Sequence, residues 1–302
     1  MSATGVSDWG VRLVAFWRSL LHKAGFSPAE PGIATRSSDG EHGRTPAMRA
    51  AALEQVLERH VASLGSDSPR TIATRNNLAS KYAQIGRRGA AVAQFEQALN
   101  DAVNTYGEAH QQTDVIRENL AWCYEDSGRH ADAAEQWEAL LKRRDEQLGP
   151  VAADTVTARS RLAINYRKSG RYDAAIAHYE KAVEDAGVPE GREDLRLGLS
   201  LAFAAVGRDD EAVQQLRMVL AQRRRRLGTR HLDTLLVQHR LGRAYTEAGR
   251  LEDAADTLRD AYLNGLSASG DPDIRMLTLR LRRDLAGALS AQGRHRDAAA
   301  LF

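Results

Sequence analysis

The sequence predicts an all-α solenoid, a stack of helical hairpins, and three observations carry that expectation. Gly-Arg dipeptides beginning at Gly86, Gly128, Gly170, Gly207, Gly249 and Gly293 follow one another at steps of 42, 42, 37, 42 and 44 residues. Around each of these glycines, large and small residues recur at fixed offsets. No stretch alternates apolar and polar residues in a way that needs a strand. Self-similarity at this period marks stacked structural repeats, each too small to bury its own apolar face.

The first helix of each unit is marked by a Leu eight residues before the glycine: Leu78, Leu120, Leu162, Leu199, Leu241 and Leu285. A small residue follows it: Ala79, Ala121, Ala163, Ser200, Gly242 or Ala286. Four residues after the Leu stands a ring or a second Leu: Tyr82, Tyr124, Tyr166, Phe203, Tyr245 or Leu289. Residues four apart share a helix face, so these pairs point the same way. The glycine accepts the left-handed backbone that ends a helix. The second helix then carries Ala five residues on (Ala91, Ala133, Ala175, Ala212, Ala254, Ala298) and a bulky residue nine on (Phe95, Trp137, Tyr179, Leu216, Leu258, Phe302). All seven prolines fall outside the helix interiors so assigned, where each would cost about 3 kcal/mol. Asp154-Thr155 and Asp233-Thr234 are expected to cap first helices. Residues 47–302 therefore read as the solenoid, with room for about twelve helices.

This pattern resembles the tetratricopeptide repeat, with its L-x3-Y and A-x3-F signature, in the long form found in kinesin light chains and in many bacterial regulatory proteins. The usual repeat is ~34 residues; here the surplus extends the second helix and the loop after it. That loop has its own signature, from Leu64-Gly65 to Thr71, Leu148-Gly149 to Thr155 and Leu227-Gly228 to Thr234, with Tyr106-Gly107 to Thr113 alongside. His110, His231 and Pro69 are remnants of the His-Pro that the family loop often carries. The fourth unit is five residues short and lacks the loop motif. The resemblance implies a right-handed α-solenoid whose concave groove binds peptides.

The first 46 residues lie outside the repeat. Residues 8–24, within an amphipathic basic segment 1–26, gather Trp9, Leu13, Phe16, Trp17, Leu20 and Leu21 on one side of a helix, opposite Arg12, Arg18, His22 and Lys23. The segment is too short and charged to span a bilayer, and it lacks the features of a secretory signal. Capping the solenoid, docking on a membrane surface and occupying the groove or a partner are all open to it. Residues 27–46 read as a flexible Pro/Gly/Ser linker. At the other end, Phe302 stands nine residues past Gly293, and the final apolar face is expected to be covered by self-association or a partner, or to fray.

Composition narrows the function classes. A net charge of +2 argues against a dominant electrostatic commitment to nucleic acid. A single cysteine, Cys123, leaves no disulfide framework within the chain and suits a cytoplasmic setting. None of the nine histidines pairs with another at i, i+4, and phosphate-loop, nucleophile-elbow, dinucleotide and zinc-protease motifs are absent. No enzyme, metal or cofactor is expected.

The groove is lined, by analogy with the resembled family, by positions 13, 10, 9, 6, 3 and 2 residues before each glycine. They give an Asn-bearing end (Asn77, Asn119), an acidic aromatic patch around Trp122, and a basic patch (Arg161, Arg167). Beyond them lie an apolar saddle (Leu201) and a second basic patch (Arg240, Arg243, Arg283). Asn side chains both donate and accept and would clamp a peptide backbone; the guanidiniums would grip its carboxylates; plain solvated helix faces are the competing reading. A second arginine series, eleven before the glycine (Arg75, Arg117, Arg159, Arg196, Arg282, broken by Gln238), is expected to be structural. The runs Lys142-Arg143-Arg144 and Arg223–Arg226 are expected to be solvated helix ends. The expected function is a non-catalytic adaptor for an extended peptide or partner helix. The alternative is a sensory or regulatory module of a signalling or transcription-regulating system, with the N-terminal helix as a switch or membrane-surface anchor.

Overall fold

The protein is described by a computed structural model covering residues 45–187, 189–268 and 270–302. The amphipathic segment 8–24 and residues 27–44 of the linker lie outside the described residues. Residues 45–302 form one compact unit. Its helices are α1 (Pro46–Leu64), α2 (Pro69–Gln84), α3 (Arg88–Tyr106), α4 (Gln111–Asp126), α5 (His130–Leu148), α6 (Ala153–Lys168) and α7 (Tyr172–Asp185). They continue with α8 (Pro189–Ala205), α9 (Asp209–Leu227), α10 (Leu232–Glu247), α11 (Leu251–Ser267), α12 (Pro272–Ala291) and α13 (His295–Ala299). There is no strand among the described residues. Each helix packs on the next along the chain, and α10 also meets α12.

The Gly-Arg pair is the hinge of every hairpin, and both residues have a task. Gly128 sits at φ 74° and donates its N–H to the Glu125 carbonyl at 3.1 Å, while the Arg129 N–H reaches the Tyr124 carbonyl at 2.9 Å. Those two bonds are the Schellman closure of a helix. The Arg129 carbonyl then accepts from the Ala133 N–H at 3.0 Å and so starts the second helix. The guanidinium folds back over the Tyr124 ring, 4.4 Å from its centroid. The same stacking joins Arg87 to Tyr82, Arg171 to Tyr166, Arg208 to Phe203 and Arg250 to Tyr245. Cation–π attraction thus supplies a reason for arginine beside the glycine.

Consecutive hairpins are tied by the same tyrosines. The Tyr124 hydroxyl donates to Glu96 of α3 at 2.6 Å, and Tyr166 to Glu138 of α5 at 3.2 Å. Tyr82 donates to Glu54 of α1 at 2.6 Å. By this bond α1 stands where the second helix of a preceding unit would stand. Thr45 caps it, its hydroxyl accepting from the Met48 N–H.

The recurrent leucines, rings and alanines are buried as a set, and each large side chain so buried contributes roughly 1.5–3 kcal/mol. Phe302 departs from the set: it lies beyond α13 and is 76% exposed. The core divides into one cluster running from Ala50 to Ala212 and another from Val213 to Ala298, with a small satellite around Ile72 and Ile116. The short step between Gly170 and Gly207 comes out of the second helix, since α7 has 14 residues where α3, α5 and α9 have 19. It ends on Ala186 in an extended conformation instead of a left-handed glycine.

Two of the long-repeat loops close through their threonines, while the hydroxyls of Thr155 and Thr234 are buried without a hydrogen-bond partner among the described residues. The hydroxyls of Thr71 and Thr113 donate to the Gly65 and Gly107 carbonyls at 2.7 and 2.8 Å. Two expected caps are corrected. Asp154 and Asp233 lie inside the first turns of α6 and α10. The cap residues are Ala152, whose side chain offers no oxygen, and His231. His110 and His231 cap α4 and α10 with a ring nitrogen, Nδ1, which accepts from the second residue on.

Candidate protein-binding groove

The first helices α2, α4, α6, α8, α10 and α12 carry all the positions singled out for the groove, and the structure divides them. Across α2, α4 and α6 the polar side chains are bonded to one another. Asn119 Nδ2 donates to Asn76 Oδ1 at 3.1 Å, bridging α2 and α4, while Asn77 is exposed beside them. Trp122 meets Trp137 edge to face, ring centroids 5.7 Å apart. The Arg161 guanidinium lies 3.8 Å over the Trp122 ring and pairs with Glu125 at 3.4 Å.

Glu125 is the hub of this region: its spacing, three before Gly128, puts it on the inner wall but does not show what it binds. Its Oε1 accepts from Trp137 Nε1 and from Asn165 Nδ2, both at 2.7 Å. Asn165 Nδ2 also donates to the Arg161 carbonyl, which orients the amide so that its oxygen accepts from His130 Nδ1 at 3.0 Å. Arg161 is only 7% exposed. Desolvation holds its guanidinium below the ordinary arginine value, opposed by the carboxylates of Glu125 and Glu118. Beside this network Cys123 is buried, and its thiol is pushed up to about 11, chiefly by desolvation, as befits a core residue.

From Arg167 onward the wall opens. Leu201 is 44% exposed on α8, and next to it Gly198 carries no side chain because the Tyr179 ring fills that space, 2.5 Å from where a Cβ would stand. Arg167 approaches the buried Tyr179 hydroxyl, whose pKa is raised by desolvation and partly restored by Arg167 and Arg161. Its Nε is buried without a hydrogen-bond partner among the described residues. Arg240 reaches the surface from α10; desolvation first, then the charges of Arg223 and Arg167, hold it below the ordinary arginine value. Arg243 and Arg283 are exposed and make surface pairs with Glu247 and Asp284 at 3.3 and 3.1 Å. His239 Nε2 joins Asp284 Oδ2 at 2.7 Å, linking α10 to α12.

The basic runs are more than solvated helix ends. Arg143 pairs with Asp114 and donates to the Glu108 and Ala109 carbonyls, and Arg144 pairs with Glu118. Arg223 and Arg226 both grip the buried Glu193, at 3.1 and 2.9 Å. Long side chains at the end of a second helix thus reach the start of a neighbouring first helix, where an acid waits. Among the described residues, no helix is long and apolar enough to cross a membrane. None of their His, Cys, Asp or Glu form a group of three or more able to hold a metal.

The tetratricopeptide repeat family profile matches residues 50–102, 123–186 and 193–262, more than half of the chain. Comparison with curated proteins returns no match. Solved structures of similar fold include the nearly identical TPR-like repeats of a Podosopora anserina protein named after kinesin light chains. That chain is 25% identical, with 68% of this chain and 99% of that one covered at a TM-score of 0.58. BtubC (BKLC) from P. vanneervenii is 20% identical over 76% of this chain and 94% of its own, at a TM-score of 0.54. A tetratricopeptide repeat protein from Parabacteroides merdae is 18% identical over 85% and 84%, at 0.53. The chain belongs to the tetratricopeptide repeat family, and its stack of hairpins is a scaffold for protein interaction.

Proposed function

We propose that the open stretch of the inner wall, from Arg167 to Arg283, docks an extended peptide that carries acidic side chains. The observation behind this reading is the convergence of three guanidiniums, Arg167, Arg223 and Arg240, near enough for the first two to lower the third. Arg223 of the three is already held by Glu193, so Arg240 is the cation placed to receive an incoming carboxylate, and charge-assisted hydrogen bonds from guanidinium forks are the strong ones. Leu197 and Leu201 of α8 offer an apolar seat between the cations, and Arg243 and Arg283 extend the basic track along α10 and α12. Asn77 and Asn119, on α2 and α4, lie outside this stretch. The role is non-catalytic: an adaptor.

The test is fluorescence anisotropy with a labelled short peptide alternating glutamate and leucine. Arg240→Glu is expected to weaken binding at least about tenfold, ~1.4 kcal/mol, with the melting temperature unchanged. The same peptide with glutamine for glutamate should bind the unaltered protein equally weakly. Equal affinity of Arg240→Glu and the unaltered protein for the acidic peptide would overturn the reading.

A further inference from the structure

The arginine series eleven residues before each glycine forms a recurring pair. Arg75, Arg117 and Arg196 each donate Nη1 to the amide oxygen of a glutamine nineteen residues on: Gln94 at 3.2 Å, Gln136 at 3.1 Å and Gln215 at 2.6 Å. The fifth unit breaks both halves of the pair. Its arginine is replaced by Gln238 and its glutamine by Thr257, two shorter side chains. A cavity of about 370 Å³ lies there, between α9, α10 and α11, lined among others by Arg217, Gln238, Tyr245, Asp256, Thr257 and Asp260. That volume falls within the range of small-ligand sites.

Gln238 is wholly buried. Its Nε2 donates to the Thr257 carbonyl at 3.1 Å and to Asp260 Oδ2 at 2.7 Å, two acceptors that fix the orientation of the amide. Its oxygen is thereby turned away from both, and it has no hydrogen-bond partner among the described residues. A buried acceptor left unmade is costly and calls for a donor. Asp260 is engaged by Arg224 at 2.7 Å, and Asp256 by Arg259 at 2.8 Å through one oxygen. The unmet group at the cavity is therefore the Gln238 oxygen, an acceptor that calls for an N–H donor, although the guanidiniums of Arg217 and Arg224 also line the cavity. Other repeats hold a guanidinium at the position that Gln238 takes here.

We infer that this cavity takes a guanidinium group from outside the chain, donating to the Gln238 oxygen and to the Asp256 carboxylate in the position of the missing arginine. A guanidinium presents several N–H donors in one plane and no acceptor, which matches a site offering an amide oxygen and a carboxylate. Two sources share that chemistry: a free small guanidinium compound, and an arginine side chain of a bound protein segment. The site is separate from the groove and does not depend on what the groove binds.

The experiment is thermal unfolding of the full chain titrated with four probes: agmatine, L-arginine, acetyl-arginine amide and L-citrulline. A ligand of the folded state raises the melting temperature in a saturable way. Agmatine is expected to do so, and citrulline, which has the shape of L-arginine with a neutral urea in place of the guanidinium, is not. A shift with acetyl-arginine amide as well assigns the site to a partner's arginine; a shift with agmatine and L-arginine alone assigns it to a free compound. Gln238→Arg restores the chain's own guanidinium and should abolish the agmatine shift. Gln238→Leu removes the acceptor without adding a charge and should abolish it too. The inference is overturned if no probe shifts the melting temperature, if citrulline matches agmatine, or if either variant keeps the agmatine shift.

Discussion

Arg161 and Arg240 stand at the same place in their repeats, nine residues before Gly170 and Gly249, and meet opposite surroundings. Arg161 is buried, paired with Glu125 and stacked on Trp122. Arg240 reaches the surface among other guanidiniums. The neighbours explain the contrast. The unit before Arg161 offers Glu125 and Trp122, three and six residues before its own glycine; the unit before Arg240 offers Ala204 and Leu201 at those places. Repeat register sets the direction of a side chain, and the preceding repeat decides whether its charge is consumed. One half of the inner wall is thus cross-linked around Glu125; in the other, Arg240 is the group proposed above to meet a partner.

Breaking the cross-linked half should have the largest effect. Glu125→Ala leaves Arg161 buried without its carboxylate, and a loss of about 3–5 kcal/mol is expected in urea unfolding. Arg240→Ala should change stability by no more than about 0.5 kcal/mol. Comparable losses in the two variants would remove the distinction. Gly198→Ala drives a methyl into the Tyr179 ring and is expected to cost about 1–3 kcal/mol, read in the same unfolding series. Ala204→Glu sharpens the comparison from the other side, since it gives Arg240 the acid that Arg161 already has. Stability should hold or rise while acidic-peptide affinity falls, and unchanged affinity would show that Arg240 is not a docking residue.

The smallest expected effect is in the pH dependence. Desolvation first, then Arg159, holds His178 below the ordinary histidine value of 6.5. Between its lowered value and 6.5 the unfolded chain binds more protons, so stability rises with pH across that window. The contribution is complete above 6.5 and is lost as pH falls toward the lowered value. His178→Gln should flatten that slope, as followed by chemical unfolding at several pH values. An unaltered slope would mean that His178 titrates alike in both states.

Much of this architecture was legible because it repeats. The Leu, ring and Ala positions fixed both helices of each hairpin, and the glycines fixed where they turn. The shortened α7 was visible only as a missing five residues, without the information that the second helix had lost them. The role of α1 was harder to see because its partner residues differ from the pattern, with Arg49 and Leu53 forty-two residues before Ala91 and Phe95. The His231 cap was obscured by Asp233 beside it, aspartate being a commoner cap residue. In the groove, the residue types were readable, but their engagement was not. Glu125 and Asn165 belong to different repeats, 40 residues apart in sequence, and only the stacking of α4 on α6 joins them.

Amide hydrogen exchange of the full chain, with and without saturating acidic peptide, tests the central claim most directly. The account predicts new protection in α8, α10 and α12, with α2 and α4 and the second helices of the hairpins unchanged. Protection confined to α2 and α4, or spread over the outer helices, would contradict it.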